Sequence, residues 1–259
     1  MNQLNVNLPE LPYAVSEAMN RLRINIKFCG KNTRKILLTS CQPNEGKSTI
    51  SSYLWKMLAE AGFPTVLVDV DLRKSVMKTR FQMDYDDDTT MGLNHYLSGM
   101  AEYEDVVYST NIPNGYMVPC TQLLENPSAL LEDVRFKELL NTLSENYRFV
   151  IIDSPPLGSV ADGALIASLC DGAVLVVRAG TTPRTLIKQS LYEIQQSGCK
   201  LLGTVLNRAD VKGRAYGKYG YGKYGYGYGY GYGYGYGYGY GYEPKDKNCL
   251  LYTSDAADD

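Results

Sequence analysis

The chain has 259 residues, with 26 Lys and Arg against 28 Asp and Glu, so its net charge of −2 gives no overall field for nucleic acid or an anionic membrane. No apolar run approaches the roughly 20 residues of a membrane-spanning helix, and the start lacks the charged-then-apolar pattern of a signal peptide. Six scattered cysteines fit reduced thiols in a cytoplasmic protein rather than a disulfide framework or zinc site, and the single histidine, His95, reads as a surface residue, which leaves little for histidine-based catalysis.

Residues 1–14 are polar and apolar by turns, contain Pro9 and Pro12, and are expected to form an extended arm. From Val15 to Phe28 the spacing is helical, with Val15, Ala18, Met19, Leu22 and Ile26 on one face and Ser16 as the N-cap. Glu17, Asn20 and Arg23 lie three apart on another stripe, either solvated or a subunit contact.

The segment Lys35–Thr49 carries the first chemistry. An apolar run, Ile36 to Leu38, leads into a turn with Pro43 and Gly46, and Lys47, Ser48 and Thr49 open a helix expected to run to Ala61 before Gly62. This is the strand, loop and helix start of a phosphate-binding loop, whose backbone N–H groups and helix N-terminus favour an anion. Lys47 can reach the outer phosphates and Ser48 can ligate Mg²⁺. The usual first glycine of the loop is replaced by Cys41.

Two further buried strands end in carboxylates. Thr65–Asp69 continues as Val70-Asp71-Leu72-Arg73-Lys74, and Phe149–Asp153 is followed by Ser154-Pro155-Pro156. The carboxyl edge of a parallel sheet is where ligands bind, so Asp69, Asp71 and Asp153 are expected to meet Lys47 there. Arg73 and Lys74 suit either phosphate binding or surface ion pairs.

Between these strands Asp84–Thr90 is an acidic loop, Met91–Leu97 a short helix, and residues 98–115 carry no clear pattern. Tyr116–Val118 reads as a strand, and Asn126-Pro127-Ser128 starts a helix expected to reach about Asn146. Further on come a helix at Ala161–Leu169, a strand at Gly172–Val177, a helix at Pro183–Gln196 and a strand at Leu201–Leu206 that leads into Asn207 and Arg208. Alternating strands and helices predict an α/β fold of the P-loop NTPase type, a mostly parallel twisted sheet with helices on both faces, over residues 15–210.

Composition then changes. From Tyr216 to Tyr242 the chain is almost entirely Tyr and Gly, with tyrosines at Tyr216, Tyr219, Tyr221, Tyr224, Tyr226, Tyr228, Tyr230, Tyr232, Tyr234, Tyr236, Tyr238, Tyr240 and Tyr242. Such a segment offers no mixed apolar core, so residues 211–247 are expected to be a flexible tail. Residues 248–259 resemble a translated sequencing adapter and are set aside as non-native.

The loop at Pro43–Thr49, the Asp69-x-Asp71-Leu72-Arg73-Lys74 string, the Val150–Pro156 segment and the terminal tyrosines together resemble the bacterial tyrosine kinases that control capsule and exopolysaccharide synthesis. The resemblance covers roughly residues 13–242. It implies an ATP- and Mg²⁺-dependent protein-tyrosine kinase that autophosphorylates the tyrosine cluster between subunits. The nucleotide would lie on Pro43, Asn44, Glu45, Gly46, Lys47, Ser48 and Thr49 with Asn207 and Arg208. The metal would be held by Ser48, Asp71 and Asp153, and Asp69 or Asp71 would take the tyrosine proton. The resemblance also implies a homo-oligomer, in the family a ring, built on a Glu-x-x-Arg-x-x-Arg motif. Here that motif reads Glu17-x-x-Asn20-x-x-Arg23. A membrane-spanning activator would recruit the chain to the inner face of the membrane. Its other partners would be a cognate tyrosine phosphatase and protein substrates in polysaccharide synthesis. A partition or septum-type P-loop ATPase is the enzymatic alternative, disfavoured because Gln42 stands where those proteins carry a second lysine. A nucleotide-switched scaffold with an adhesive tail is the non-enzymatic one.

Overall fold

In the computed structural model the described residues are 3–86, 89–159 and 162–209. The expected tail, its tyrosines and residues 248–259 lie outside them. Chain order begins with β1 (Gln3–Leu4), α1 (Tyr13–Phe28), β2 (Lys35–Ser40), α2 (Lys47–Glu60), β3 (Thr65–Asp69) and α3 (Met77–Arg80). Next come α4 (Leu93–Leu97), α5 (Tyr103–Val106), β4 (Tyr108–Thr110), β5 (Gly115–Val118), α6 (Ser128–Glu132) and α7 (Val134–Asn146). The chain continues through β6 (Phe149–Asp153), α8 (Asp162–Ser168), β7 (Gly172–Arg178), α9 (Arg184–Gln196) and β8 (Leu201–Asn207).

The strands form one sheet in the order β1-β4-β5-β3-β6-β2-β7-β8, parallel throughout except where β4 runs against β5. The middle strands are unbroken apolar runs because both faces of a parallel sheet are covered. Alternate residues serve opposite layers. Ile36 and Leu38 pack with Leu54, Trp55 and Leu58 of α2 and with Met19, Leu22 and Ile26 of α1. Leu37 faces the other way, into the layer of Phe136, Leu139, Ile166 and Ile194. Trp55 is fully buried and its indole N–H donates to Thr65 O at 3.1 Å, which ties α2 to the start of β3.

Several boundaries differ from the sequence expectation. α1 starts at Tyr13, because Pro12 O accepts from both Val15 N and Ser16 N at 2.9 Å, so Ser16 lies inside the first turn and is no cap. The arm before it is pinned: Val6 and Leu8 are buried, and Tyr53 Oη donates to Pro9 O at 2.6 Å. The single helix expected from Ser128 to Asn146 is broken at Asp133, whose extended backbone and side chain, accepting from Arg135 N at 2.9 Å, start α7 afresh. The patternless stretch 98–115 holds α5 and β4. His95 is buried rather than on the surface, and its Nδ1 accepts from Gly92 N at 3.0 Å as the capping contact at the start of α4.

Candidate active site

The loop between β2 and α2 is shaped by one glycine and one carboxylate. Gly46 has φ +98°, and a Cβ there would lie 2.1 Å from Asn207 Nδ2, so both backbone and space demand glycine. Asn44 also takes the left-handed conformation, at φ 64°. Cys41 is outside that region, which explains why the missing glycine is tolerated: its thiol is buried and its carbonyl accepts from Gly158 N at 3.2 Å. Glu45, expected among the nucleotide-binding loop residues, has a structural side chain. It turns inward, Oε2 accepting from Cys41 N at 2.7 Å and Gln42 N at 3.0 Å while Oε1 takes the Thr182 hydroxyl. Its own carbonyl accepts from Asn207 Nδ2 at 2.8 Å. Gly46→Ala should therefore displace Asn207 and open the loop. Equilibrium dialysis with labelled ATP should show affinity at least roughly tenfold weaker, given that each lost polar contact is worth about 1 kcal/mol or more.

Three carboxylates converge on the lysine. β3 and β6 pair with Asp69 opposite Asp153, so strand register alone places the two acids side by side. Lys47 Nζ lies 2.9 Å from Asp71 and 3.5 Å from Asp153. Burial pulls the Lys47 ammonium down, but Asp153 and Asp71 outweigh it and hold the group above its ordinary value. Asp153 is pushed up by burial, against the pull of Lys47 and of the Ser48 and Ser51 hydroxyls; Ser51 Oγ donates at 3.0 Å. Asp71 is fully engaged, by Lys47 and by Lys74 N at 3.2 Å.

Asp69 is different. Its Oδ2 accepts from the Ser75 hydroxyl, whereas Oδ1 is the one buried side-chain polar atom without a partner among the described residues. Burial, and then the neighbouring Asp153, push its carboxyl up to about 8.

A cleft of about 200 Å³ opens over Lys47 and Asp71, lined by Pro43, Asn44, Gly46, Ser48, Lys74, Arg80, Pro155 and Pro156, whereas Asp69 and Asp153 are buried and do not line it. Arg73 is held as an ion-paired residue: Nε donates to buried Asp162 at 2.8 Å, and the rest of the guanidinium reaches Glu125 O and Ser128 Oγ. Thr49 accepts from Arg80 Nη1 at 3.2 Å. Asn207 reaches the loop itself, whereas Arg208 lines a separate hollow with Arg178 and Thr181. Glu17 and Arg23 are remote on α1; Glu17 is exposed and Arg23 chelates Asn20 Oδ1 at 2.7 and 3.0 Å. Ser51, Ser75, Arg80 and Thr182 carry no signal in spacing or motif, because they act through tertiary contacts.

A glycine-closed loop at a helix N-terminus, a buried lysine beneath it and carboxylates at the carboxyl edge of a parallel sheet define a nucleotide-binding protein of the P-loop class. The AAA domain family matches residues 33–195. The chain is 42% identical over 208 residues to the tyrosine-protein kinase CpsD of Streptococcus agalactiae, covering 80% of this chain and 90% of that one. It is 31% identical over 208 residues to the tyrosine-protein kinase YwqD of Bacillus subtilis, covering 79% and 86%. Among solved structures, the kinase domain of the Escherichia coli tyrosine kinase ETK matches with a TM-score of 0.71 at 28% identity over 86% of each chain. The septum site-determining protein MinD of Pyrococcus horikoshii, complexed with Mg-ADP, matches at 0.57 and 26% identity over 68% of this chain and 70% of that one. The chain belongs to the bacterial tyrosine-protein kinases built on this P-loop fold.

Proposed function

We propose that this chain transfers the γ-phosphoryl group of ATP to tyrosine hydroxyls, its own terminal cluster from Tyr216 to Tyr242 among them, in the service of capsular or exopolysaccharide synthesis. The observation that carries the reading is the free Asp69 Oδ1 beside the Lys47–Asp71–Asp153 cluster.

The residues fit a magnesium nucleotide. Gly46 holds the left-handed turn of the loop at the N-terminus of α2, and Ser48, Asp71 and Asp153 supply hard oxygen donors. Among the described residues no group of three or more His, Cys, Asp or Glu forms a metal cage. That suits Mg²⁺, which takes one or two carboxylates and completes its shell with phosphates and water. Bound Mg²⁺ supplies charge neutralisation across the outer phosphates. Lys47 binds and orients those phosphates from below. Pro155 and Pro156 close one wall against water. Asp69 accepts the phenolic proton at Oδ1 while Ser75 fixes Oδ2. Phosphoryl transfer asks mainly for such positioning and charge.

Transfer to a second copy is favoured by reach. Taken as a random coil, 27 Gly-rich residues would span about 30 Å end to end, against a radius of gyration of roughly 17 Å for a folded part of this length. Glu17 and Arg23 on α1, flanked by exposed Tyr13 and Phe28, are proposed as the subunit contact. No helix among the described residues is long and apolar enough to cross a membrane, which suits a kinase recruited to the membrane by a separate spanning activator.

The test is incubation with Mg-ATP, with and without the activator's cytoplasmic peptide, followed by mass spectrometry. Phosphotyrosine between residues 216 and 242 is the expected outcome. Phosphate release without phosphotyrosine would instead favour the septum-type ATPase reading. Modifying most of the 13 tyrosines adds roughly −20 charges, so light scattering should report a smaller oligomer for the phosphorylated form. Equal sizes would remove the tail from control of assembly.

A further inference from the structure

The cleft carries more positive charge than its own contacts neutralise. Its walls hold Lys47, Arg73, Lys74 and Arg80 against the single carboxylate of Asp71. Lys47 is matched by Asp71 and Asp153, and Arg73 by Asp162. Lys74 and Arg80 are exposed, and neither makes an ion pair among the described residues. Both are nevertheless anchored to the reacting cluster. Lys74 N donates to Asp71 Oδ1 at 3.2 Å, and Arg80 Nη1 donates to the hydroxyl of Thr49, the neighbour of Ser48. One Arg80 hydrogen bond leaves most of that guanidinium's five donors for another acceptor.

A second feature of the chain matches this surplus. From Tyr224 to Tyr242 tyrosine alternates with glycine without a break. In an extended run of that kind, residues i and i+2 point to one side about 6.5–7 Å apart. A phosphotyrosine therefore presents its dianion one such step from the next free hydroxyl.

We propose that Lys74 and Arg80 form a phosphotyrosine subsite, which holds a tyrosine already modified on a second copy's tail while its i+2 neighbour enters the reacting position at Asp69. This rests on the tail being the acceptor, and it adds a direction: each phosphate made recruits the next tyrosine. Arg and Lys suit the task because charge-assisted hydrogen bonds to phosphate are the strong ones. Phosphorylation then spreads along the alternating run from a first modified tyrosine rather than striking sites independently.

The experiment is a binding measurement on the full chain, dephosphorylated and saturated with Mg²⁺ and a non-hydrolysable ATP analogue. Two fluorescein-labelled Tyr-Gly peptides are compared by anisotropy, one unmodified and one with a single central phosphotyrosine. The phosphorylated peptide should bind roughly tenfold tighter, the size of effect expected of one good charge-assisted contact. That preference should vanish in Lys74→Ala/Arg80→Ala and weaken with salt, each protein being held saturated with the ATP analogue. Both side chains are exposed, so the double variant keeps its core. Equal affinity for the two peptides would overturn the proposal, as would a preference that survives the double substitution. A variant that loses nucleotide instead of peptide would assign the two cations to the ATP phosphates, again against it. Because binding needs no turnover, a chain that binds the phosphopeptide but makes no phosphotyrosine refutes the kinase reading alone.

Discussion

Lys47→Met should abolish tail phosphorylation, by on the order of 10³-fold or more, and should also cost the protein stability that depends on pH. The first effect follows from removing the one cation beneath the phosphates, where charge stabilisation is most of the catalysis. The second follows from what stays behind. Asp69, Asp71 and Asp153 are 1%, 7% and 1% exposed, and Lys47 is the ammonium among them. Breaking a buried pair by deleting one partner costs about 3–5 kcal/mol, because the other charge remains buried. The sign with pH can be worked out. Lys47 is itself raised above 10.5, so its own contribution is constant at neutral pH and below. Its loss acts through the acids: it is one of the groups that lower Asp153 and Asp69, so both rise further without it. The folded variant then holds more protons than its unfolded chain, and its stability falls as pH rises. Melting curves taken without metal or nucleotide should show the deficit smallest near pH 5 and largest near pH 8. A deficit flat across that range, or a variant that still labels its tail, would contradict this account of the cluster.

How much of this was legible in the sequence depended on whether a feature is local. Ile36–Leu38, Thr65–Asp69 and Phe149–Asp153 are short apolar runs with turn residues behind them, and each became a central strand at nearly the expected bounds. Their carboxylates meet because parallel register puts Asp69 opposite Asp153, which follows once the three runs share a sheet. Val15 to Ile26 gave the buried face of α1, but its first turn was set by Pro12 rather than by Ser16. Features whose cause is distant were illegible. β1 and β4 are two and three residues long, too short for a period, and exist by pairing with each other and with β5. Asp133 interrupts an otherwise helical stretch by capping its own successor. His95 reads as polar surface until Gly92 N and Thr121 close around it. The inward turn of Glu45 needs Thr182, 137 residues away, and no spacing announces it. Ser75 likewise becomes informative only when the turn after β3 folds back onto Asp69.

That contact sets up the substitution with opposite effects on rate and stability. Asp69→Asn keeps the shape and removes the proton acceptor. General-base catalysis contributes typically 10²–10⁴-fold, so kcat for tail phosphorylation should fall by about 10³ with the KM for ATP nearly unchanged. On the proposed mechanism this carboxylate, rather than Asp71, takes the proton. A phenol near 10 is poorly matched to an ordinary carboxylate near 4. Burial and Asp153 bring Asp69 to about 8, while Asp71 is committed to Lys47. Ser75→Ala removes the hydroxyl that orients Asp69 and should cost kcat roughly tenfold, the worth of about one hydrogen bond, with recovery in Ser75→Thr. Stability should move the other way in Asp69→Asn. The folded Asp69 holds its proton up to about 8 whereas the unfolded one releases it near 3.8, so the wild-type chain without metal or nucleotide loses stability as pH rises between those values and no further above them. Asparagine does not titrate. The variant should therefore melt higher than wild type, by a margin that widens from about pH 4 to about pH 8 and then levels. An Asp69→Asn protein that is inactive and melts lower would mean that the carboxylate holds the fold together, and Asp71 would then be the base to test.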